Sequence, residues 1–334
     1  MESRGLLIAI YYWNDYNIIL FNVMCAIEVK DLVKRYRGNG FAAVDYISFN
    51  VESGEIFALL GPNGAGKTTA IKILTTLLKP TSGTAKVAGF DVGKDKDSVR
   101  KSIGIVFQEP SLDWRLTGRE NLDFHARIYG IGRKERERRI EEVLKLVELE
   151  DKADVAVDKY SGGMKRSLEL ARGFIHHPKV LFLDEPTLGL DTHTRRRIWD
   201  YIRELNDSEG VTIVLTTHHM EEADYLCARV GIMDRGKIIA LDTPKNLKDL
   251  IGSDLVSLEM DASSNVEVFK KLDFVTEFRK YDDFVTLKME RGDLRIPAIM
   301  EVARKSGIEI RSVNLRKPSL EDVFLHITGR RIRE

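Results

Sequence analysis

The chain has 334 residues, enough for two or three compact domains of about 100 to 200 residues each. Hydrophobic residues make up 43% and charged residues 31% of the sequence, which excludes collagen-like and wholly disordered chains. Lys and Arg together number 52, as do Asp and Glu, so the formal net charge is zero. This balance argues against a polyanion-binding surface covering the molecule, and nucleic acid is therefore not expected as a partner.

The two cysteines, Cys25 and Cys227, lack the spacing of a metal site and are too few for a disulfide scaffold, which favours a reducing, cytosolic setting. No stretch reaches the roughly 18 consecutive apolar residues of a membrane-spanning helix. The nearest, Leu6–Cys25, is interrupted by Asn and Asp. We therefore expect any role at a membrane to need a partner that crosses it.

The first 23 residues are rich in Ile, Tyr and Asn and nearly free of charge, and Met24 follows them. Two interpretations are open. Either Met24 is the physiological start, or residues 1–23 form a real extension. Such an extension would pack on the protein or lie at a membrane surface. Peptides from Glu2–Val23 in mass spectra of the natural protein would refute the later start.

From Ala26 to about Ile239, short apolar runs alternate with helical patterns. Runs of four to six apolar residues without alternation predict strands buried on both faces, and hence a mainly parallel sheet covered by helices. The predicted strands are Ala26–Val29, Ile56–Leu60, Gly104–Phe107, Val180–Leu183, Thr212–Thr216 and Val230–Asp234. Charge-rich helix, notably Arg133–Glu150, predicts a helical insertion at about residues 109–160.

A second unit is expected after residue 250. Strands are predicted at 255–260, 274–280, 284–289 and 308–315, with helices at 266–272, 294–305 and 319–327. This βαββαβ order, followed by a helix, is typical of a small split-βαβ sandwich. We therefore predict a large α/β domain over residues 24–250, an accessory α+β domain over 251–328 and a basic tail over 329–334.

The strongest motif matches G-x-x-x-x-G-K-[ST], directly after the strand Ile56–Leu60 and before a helix predicted over Thr69–Leu78. Glycines permit a tight loop whose backbone N–H groups face phosphate, Lys67 brings positive charge to the β- and γ-phosphates, and the Thr68 hydroxyl can bind Mg²⁺. The predicted phosphate-binding residues are Gly61, Pro62, Asn63, Gly64, Ala65, Gly66, Lys67, Thr68 and Thr69.

A hydrophobic strand, Val180–Leu183, runs into two carboxylates, Asp184 and Glu185. Ligands of parallel sheets lie beyond the carboxyl ends of the strands, which puts Asp184 near the metal of the phosphate loop. Asp184 is then the natural Mg²⁺ partner, and Glu185 is placed to orient the attacking water and accept its proton. No Asn-Lys-x-Asp motif is present to read guanine, so a GTPase is not favoured.

Residues 160–166, Tyr-Ser-Gly-Gly-Met-Lys-Arg, precede an apolar helix pattern. We expect Ser161 to be the N-cap, with Gly162 and Gly163 letting a phosphate approach the backbone at the positive end of the helix. A helix start without any ligand is the alternative for this stretch taken alone.

The order of these motifs resembles the ATP-binding-cassette ATPase family from Ala26 to about Asp249. The resemblance implies a P-loop ATPase cassette, a RecA-like core with a helical subdomain, that uses ATP and Mg²⁺. Further roles follow from it: Tyr36 stacks on adenine, Gln108 is the catalytic and metal-binding Q-loop residue, Ser161–Lys165 is the signature, Asp191 lies in the D-loop, and His218 is the catalytic switch histidine. Tyr36 is assigned by position, and a plain strand aromatic is the alternative. The signature departs from the family at Met164, where Gln is usual, which puts its flanking contacts in doubt.

The family also implies a head-to-tail dimer, either a homodimer or a heterodimer with a related ATPase. Ser161 and Gly163 of one subunit would cap the γ-phosphate held by Lys67 of the other. A multi-span membrane permease is the expected second partner. We predict that it contacts the segment Pro110–Leu116, with Leu112 and Trp114 exposed; a loop packed on its own domain is the alternative.

The stretch Pro318–Phe324 resembles the ending of daunorubicin-resistance-type export ATPases. This implies the ATP-hydrolysing subunit of an exporter for a drug, lipid or other hydrophobic solute, cytoplasmic and peripheral on the inner face of the membrane. A cassette ATPase acting on DNA or ribosomes, and a non-hydrolysing regulatory sensor, are the alternatives. Such a sensor would usually lose Glu185 or His218, and both are present.

Overall fold

The computed structural model describes residues 25–38, 41–109, 111–251, 254–260, 266–280 and 284–328. The expectations for the extension 1–23, for Met24, for Pro110 and for the tail 329–334 lie outside these residues. Over the described ranges, no helix is both long and apolar enough to cross a membrane.

The elements follow one another in an α/β order. To Thr217 they are β1 (Cys25–Arg35), β2 (Ala42–Glu52), β3 (Ile56–Leu60), α1 (Lys67–Leu74), β4 (Ser82–Val87), β5 (Phe90–Asp91), α2 (Lys96–Ser102), β6 (Ile103–Val106), α3 (Gly118–Ile128), α4 (Arg133–Leu146), α5 (Gly162–Phe174), β7 (Val180–Asp184), α6 (Thr192–Glu209) and β8 (Thr212–Thr217). Beyond it they are α7 (Met220–Leu226), β9 (Arg229–Asp234), β10 (Lys237–Asp242), α8 (Pro244–Asp249), β11 (Asp254–Met260), α9 (Glu267–Lys270), β12 (Val275–Lys280), β13 (Phe284–Met289), α10 (Gly292–Lys305), β14 (Ile310–Arg316) and α11 (Leu320–Thr328).

The chain divides into two compact units. Unit 1 takes in the described parts of Met1–Ile56 and Thr68–Leu215, and unit 2 those of Phe57–Lys67 and Thr216–Glu334. The chain passes between the units within β3, at the start of α1 and within β8.

Unit 1 contains a parallel strand pair and a separate antiparallel sheet. β6 pairs with β7 in parallel, and all five residues of β7 are buried, as its unbroken apolar run predicts. β1 lies in an antiparallel sheet of order β2-β1-β4-β5, with Val29 opposite both Phe49 and Ala85. The expectation that Ala26–Val29 joins the parallel sheet is therefore wrong. β1 pairs with partners that the short-run pattern did not detect.

The helices of unit 1 include three that pack together, α3, α4 and α5. Thr117 and Glu120 form a capping box at the start of α3. The helix expected over Arg133–Glu150 ends at Leu146, because Val147 caps it and Glu148 has a φ of 53°. The helix expected to run to Leu78 likewise ends at Leu74, since Thr76 has a φ of 65°.

In the first part of unit 2, β3 pairs with β9 in parallel and β10 pairs with β9 antiparallel. The rest of the unit confirms the predicted βαββαβ order, with a sheet of order β12-β13-β11-β14. One face of this sheet is buried against the helices, and its core contains Val256, Leu258, Leu287, Phe269 and Ile299. The C-terminal helix α11 contacts α7 and α8.

A ring cluster lies where α3 meets the segment after α5. The rings of Tyr129 and His176 stack with centroids 3.7 Å apart, and the His125 ring is 6.3 Å from that of His176. His176 Nε2 lies 2.9 Å from the Ile103 carbonyl oxygen, and its Nδ1 is buried without a hydrogen-bond partner among the described residues. Burial lowers the pKa of His176 to about 4, and burial together with the Arg172 charge lowers the pKa of His125 to about 4.

We predict that the free energy of unfolding falls as the pH is lowered from about 6.5 to about 4. The ordinary histidine pKa of 6.5 exceeds the folded value of about 4, so the unfolded chain binds more protons in this window. In His176→Gln, the loss of unfolding free energy between pH 7 and pH 5 should be smaller than in the wild type by about 2 kcal/mol. Urea unfolding at both pH values measures this change in unfolding free energy. The control is His193→Gln, at an exposed position on α6. Equal pH dependence in wild type and His176→Gln would contradict the assignment.

Candidate functional site

The loop between β3 and α1 is held by backbone contacts within unit 2. The Gly61 N–H donates to the Thr217 carbonyl oxygen at 3.2 Å, and the Gly236 N–H donates to the Ala65 carbonyl oxygen at 2.9 Å. A Cβ atom at Gly61 would lie 2.2 Å from the Met233 carbonyl oxygen, so only glycine fits there. The first glycine of the motif therefore permits close backbone packing.

Lys67 is the last residue of this loop and the first residue of α1. Its side chain is buried, and Nζ donates to the carbonyl oxygens of Gly61 at 2.6 Å and Pro62 at 3.1 Å. The ammonium is therefore held inside the loop that the motif predicts for phosphate. Positive charge and helix N–H groups at one point favour an anion.

Thr68 and Asp184 meet within unit 1. Thr68 Oγ1 donates to Asp184 Oδ1 at 3.0 Å, and Asp184 is only 3% exposed. A hydroxyl and a carboxylate are oxygen ligands of the kind that Mg²⁺ takes, so the pair fits this ion. The described residues contain no group of three or more His, Cys, Asp or Glu side chains that could hold a metal. Mg²⁺ usually keeps several waters and substrate phosphates as ligands, so two protein ligands suffice.

Glu185, the second predicted carboxylate, follows β7 and is 6% exposed. Its backbone φ of 49° lies in the left-handed region, which is uncommon for a residue other than glycine. Its carbonyl oxygen accepts a hydrogen bond from Arg166 Nη2 at 3.2 Å. The chain direction thus changes sharply at Glu185, immediately after Asp184.

The predicted signature forms the start of α5. Ser161 is the N-cap, and its Oγ accepts from the Met164 N–H at 3.2 Å. A Cβ atom at Gly163 would lie 2.5 Å from Thr194 Cγ2, so the start of α5 lies close to the start of α6. Ser161 and Gly162 are exposed and available to a ligand or a second subunit.

Asp191, the predicted D-loop residue, is the N-cap of α6. Its Oδ1 accepts from the Thr194 N–H at 3.0 Å and its Oδ2 from the Thr194 hydroxyl at 2.6 Å. These hydrogen bonds lower the pKa of Asp191 below its usual range. The carboxylate is therefore ionised at neutral pH and caps the helix that Gly163 approaches.

The remaining predicted residues lie in different parts of the two units. Tyr36 is 39% exposed with its hydroxyl 3.5 Å from Thr69 Oγ1, both in unit 1. Gln108 is exposed in the loop after β6. His218 is half-buried after β8 in unit 2, with its ring centroid 4.2 Å from that of His219.

The segment predicted to contact a permease differs from expectation at one residue. Trp114 is 56% exposed, as expected, but Leu112 is 8% exposed and belongs to the core. The Ser111 and Asp113 N–H groups flanking Leu112 are held by Glu169 Oε1 and Asn121 Oδ1, which turns Leu112 inward. Exposed apolar side chains are found nearby on α3, at Phe124 and Ile128.

Sequence reasoning missed Arg166 and Glu169 of α5. Both are buried, and Arg166 Nη1 donates to Glu169 Oε2 at 3.0 Å. Arg166 also bonds backbone carbonyls on both sides of Glu185. The available signal was an Arg and a Glu three positions apart, next to the apolar residues of this helix.

Comparison with known proteins agrees with this geometry. A family model described as "ABC transporter" matches residues 44–188, and one described as "ATP-binding protein DrrA1-3-like, C-terminal domain" matches residues 243–328. The daunorubicin resistance ATP-binding protein DrrA2 of Streptomyces coeruleorubidus is 40% identical over 92% of this chain and 96% of its own length. The chain belongs to the ABC transporter ATP-binding proteins of the daunorubicin-resistance type.

A second relative and two solved structures are also similar to this chain. The linearmycin resistance ATP-binding protein LnrL of Bacillus subtilis is 36% identical over 86% of this chain and 94% of its own. The dimeric post-hydrolysis structure of the ATP-binding cassette MJ0796 with ADP and Pi aligns with a TM-score of 0.59 and 28% identity, over 65% of this chain and 98% of that one. CbiO1 from Clostridium perfringens, part of the transporter complex cbiONQ, aligns with a TM-score of 0.63 and 30% identity, over 68% and 93%.

The predicted fold class is thereby confirmed as a P-loop ABC cassette. This ABC protein is an ATPase that binds adenine nucleotide, and ABC cassettes of its kind work as dimers with a membrane permease. Its relatives favour an ATP-binding subunit of an ABC exporter over a cassette that acts on DNA or ribosomes.

Lys67→Ala should weaken ATP binding by about 10- to 100-fold, because charged hydrogen bonds to phosphate are worth about 1.5–3 kcal/mol. Titration with a fluorescent ATP analogue measures the dissociation constant. Lys72→Ala, on the same helix α1, is the matched control and should bind as the wild type does. Unchanged affinity in Lys67→Ala would remove this lysine from the phosphate site.

Proposed function

We propose that this ABC protein energises the export of a drug, lipid or other hydrophobic solute through a separate multi-span permease. The single observation that carries the proposal is the 40% identity to a daunorubicin resistance protein over nearly the full length of both chains. That similarity extends past the cassette, because a family model named for such proteins also matches residues 243–328. A second relative is named for linearmycin resistance, which supports the export of drugs as a class.

The proposed ATP site consists of the loop before α1, the first residues of α1 and three further segments. Gly61, Pro62, Asn63, Gly64, Ala65, Gly66, Lys67 and Thr69 would bind the phosphates, and Tyr36 would stack on the adenine. Thr68, Asp184 and Gln108 would hold Mg²⁺, which supplies positive charge to the phosphates when bound. The hydrogen bond between Thr68 and Asp184 supports this assignment.

We propose that Glu185 accepts the proton of the attacking water while His218 orients it. The buried position of Glu185 favours this role, since a carboxylate shielded from solvent interacts more strongly with a proton donor beside it. Catalysis would then be mainly positional and electrostatic, as for other P-loop ATPases.

The proposed active form is a head-to-tail dimer, formed with a second copy or with a related ATPase. The exposed N-terminus of α5, with Ser161, Gly162 and Gly163, would cap the γ-phosphate bound by the other subunit, with Asp191 near the same interface. An uncovered helix N-terminus supports this role, because its N–H groups favour an anion. Hydrolysis would remove the bridging phosphate and open the dimer.

We propose a cassette over residues 24–250, with a helical subdomain at about 109–160, and an accessory domain over 251–328. The permease would contact the helical subdomain through Trp114 and the α3 side chains Phe124 and Ile128. These two α3 residues are 62% and 65% exposed and one helical turn apart, which is typical of a covered apolar surface. The protein would then lie on the cytoplasmic face of the membrane, held by the permease.

Glu185→Gln should lower the ATPase kcat by about 10²- to 10⁴-fold, the usual contribution of a general base. Cells of the natural host that carry this variant in place of the wild-type chain should accumulate more of a fluorescent anthracycline. Glu204→Gln, exposed on α6, is the matched control for both measurements. Wild-type turnover in Glu185→Gln would remove the proposed base, and equal accumulation in all strains would argue against drug export.

Ser161→Arg should abolish cooperative ATPase activity while leaving monomer affinity for ATP unchanged, because the added side chain would block the cap on the opposite subunit. Ser161→Ala is the control for the loss of the N-cap alone, which costs about 1 kcal/mol of stability. It does not add a side chain that could block the opposite subunit. A mixture of Ser161→Arg and Lys67→Ala should regain part of the activity, since one of its two sites combines an intact phosphate loop with an intact cap. If the mixture is as inactive as each variant alone, the cap does not act across subunits.

A further inference from the structure

The guanidinium of Arg166 lies at the centre of a hydrogen-bond network within unit 1. The residue is 8% exposed, and three of its nitrogens make five hydrogen bonds. The acceptors are Pro186 O at 2.6 Å, Phe107 O at 2.6 Å, Glu169 Oε2 at 3.0 Å, Glu185 O at 3.2 Å and Asp184 O at 3.3 Å.

Four of these acceptors are backbone carbonyls in two functional segments. Three are consecutive, from Asp184 to Pro186, and include the residue with the left-handed φ of 49°, Glu185. The fourth belongs to Phe107, directly before Gln108. A turn of this kind lacks the regular backbone pairing of a strand, so the guanidinium provides partners that its buried carbonyls need. Arg166 therefore helps to fix the orientation of the Glu185 backbone, together with the Leu188 N–H, which donates to the same carbonyl oxygen at 3.3 Å.

Glu169 completes the network one turn further along α5. It is 2% exposed, and its Oε1 accepts from the Ser111 N–H at 2.7 Å. The carboxylate balances the buried charge of Arg166, which would otherwise be costly to bury. Arg166 and Glu169 thus bond to Phe107 and Ser111, which both follow β6.

The same helix begins at the signature. Ser161 is its N-cap, and five residues along an α-helix rise about 7.5 Å, so the guanidinium is rigidly linked to the helix start. The N-terminal end of α5 therefore carries Ser161, Gly162 and Gly163. Arg166, further along the same helix, bonds to the carbonyls around Glu185.

We propose that Arg166 is a positioning residue that couples the two ATP sites of the dimer. The inference rests on the proposed function, in which Ser161 caps one ATP and Glu185 of the same subunit acts on the other. Any shift of α5 when Ser161 meets the partner's γ-phosphate moves Arg166, and with it the Glu185 and Gln108 backbones. Lysine cannot replace it fully, because an ammonium lacks the planar fork that reaches several carbonyls at once.

The test uses the full chain and two variants. Arg166→Met combined with Glu169→Gln removes the carbonyl contacts without leaving an uncompensated buried charge, and Arg166→Lys keeps the charge without the fork. The matched control is Arg133→Met combined with Glu137→Gln, which removes an exposed ion pair on α4. The readouts are kcat, KM and the Hill coefficient for ATP, ATP-analogue affinity of the monomer, and thermal unfolding.

In the double variant we expect kcat to fall by about tenfold or more with KM within about twofold, and the Hill coefficient to approach one. Monomer affinity should stay close to that of the control, and Arg166→Lys should give an intermediate kcat. The unfolding temperature of the double variant should fall, because buried carbonyls lose their donor, and kcat is therefore measured at a temperature where every variant is fully folded. Wild-type kcat and Hill coefficient in the double variant would overturn the proposal. A lower kcat explained by parallel losses of ATP affinity and folding stability would also overturn it, because Arg166 would then be only structural.

Lys67→Ala and Glu185→Gln, measured alongside, separate this inference from the proposed function. If they lose binding and turnover as expected while the Arg166 variants hydrolyse ATP cooperatively, only the coupling role fails. If Lys67→Ala and Glu185→Gln retain wild-type binding and turnover, the proposed site itself fails, and the coupling role fails with it.

Discussion

One hydrogen bond joins the two segments that carry the proposed phosphate-binding and catalytic residues. Thr68 Oγ1 donates to Asp184 Oδ1 although the residues are 116 positions apart, so the start of α1 and the end of β7 meet. Lys67 precedes Thr68 and Glu185 follows Asp184, so the proposed phosphate-binding lysine and the proposed base are each next in sequence to one of the two residues. The buried Asp184 carboxylate is poorly solvated, which favours a divalent cation beside it.

Two buried cations are partnered mainly by backbone carbonyls. Lys67 donates to the carbonyls of the loop before α1, and Arg166 donates to the carbonyls of the turn after β7. Their chemistry differs, because the lysine is a point charge on a flexible stem that can turn toward phosphate oxygens, whereas the guanidinium is a rigid planar fork. The lysine is therefore suited to a ligand that comes and goes, and the arginine to a backbone that must keep one shape.

The elements that sequence predicted best are those whose environment is uniform along their length. β7 is buried at every residue, and its apolar run is unbroken. The antiparallel sheet was missed because β2 does not alternate regularly. Its buried residues are Ala42 and Val44, then Ile47, Phe49 and Val51, and the change of phase falls near Tyr46, whose φ is 51°. A bulge of this kind breaks the period-two pattern, and no local signal specifies which strand will pair across it.

The phosphate-loop motif could be recognised because its residues are consecutive in the sequence. The environment of Arg166, in contrast, depends on segments nearly 60 positions before it and about 20 after it. An Arg and a Glu three positions apart on a helix are typical of an exposed ion pair. The structure buries this pair because two irregular loops bring carbonyls and an N–H group that only charged side chains of this length reach. Burial raises the cost of removing one partner alone, since an uncompensated charge would then remain beside the turn at Glu185. Such a pair is therefore expected to constrain the geometry of Glu185 more than it stabilises the fold.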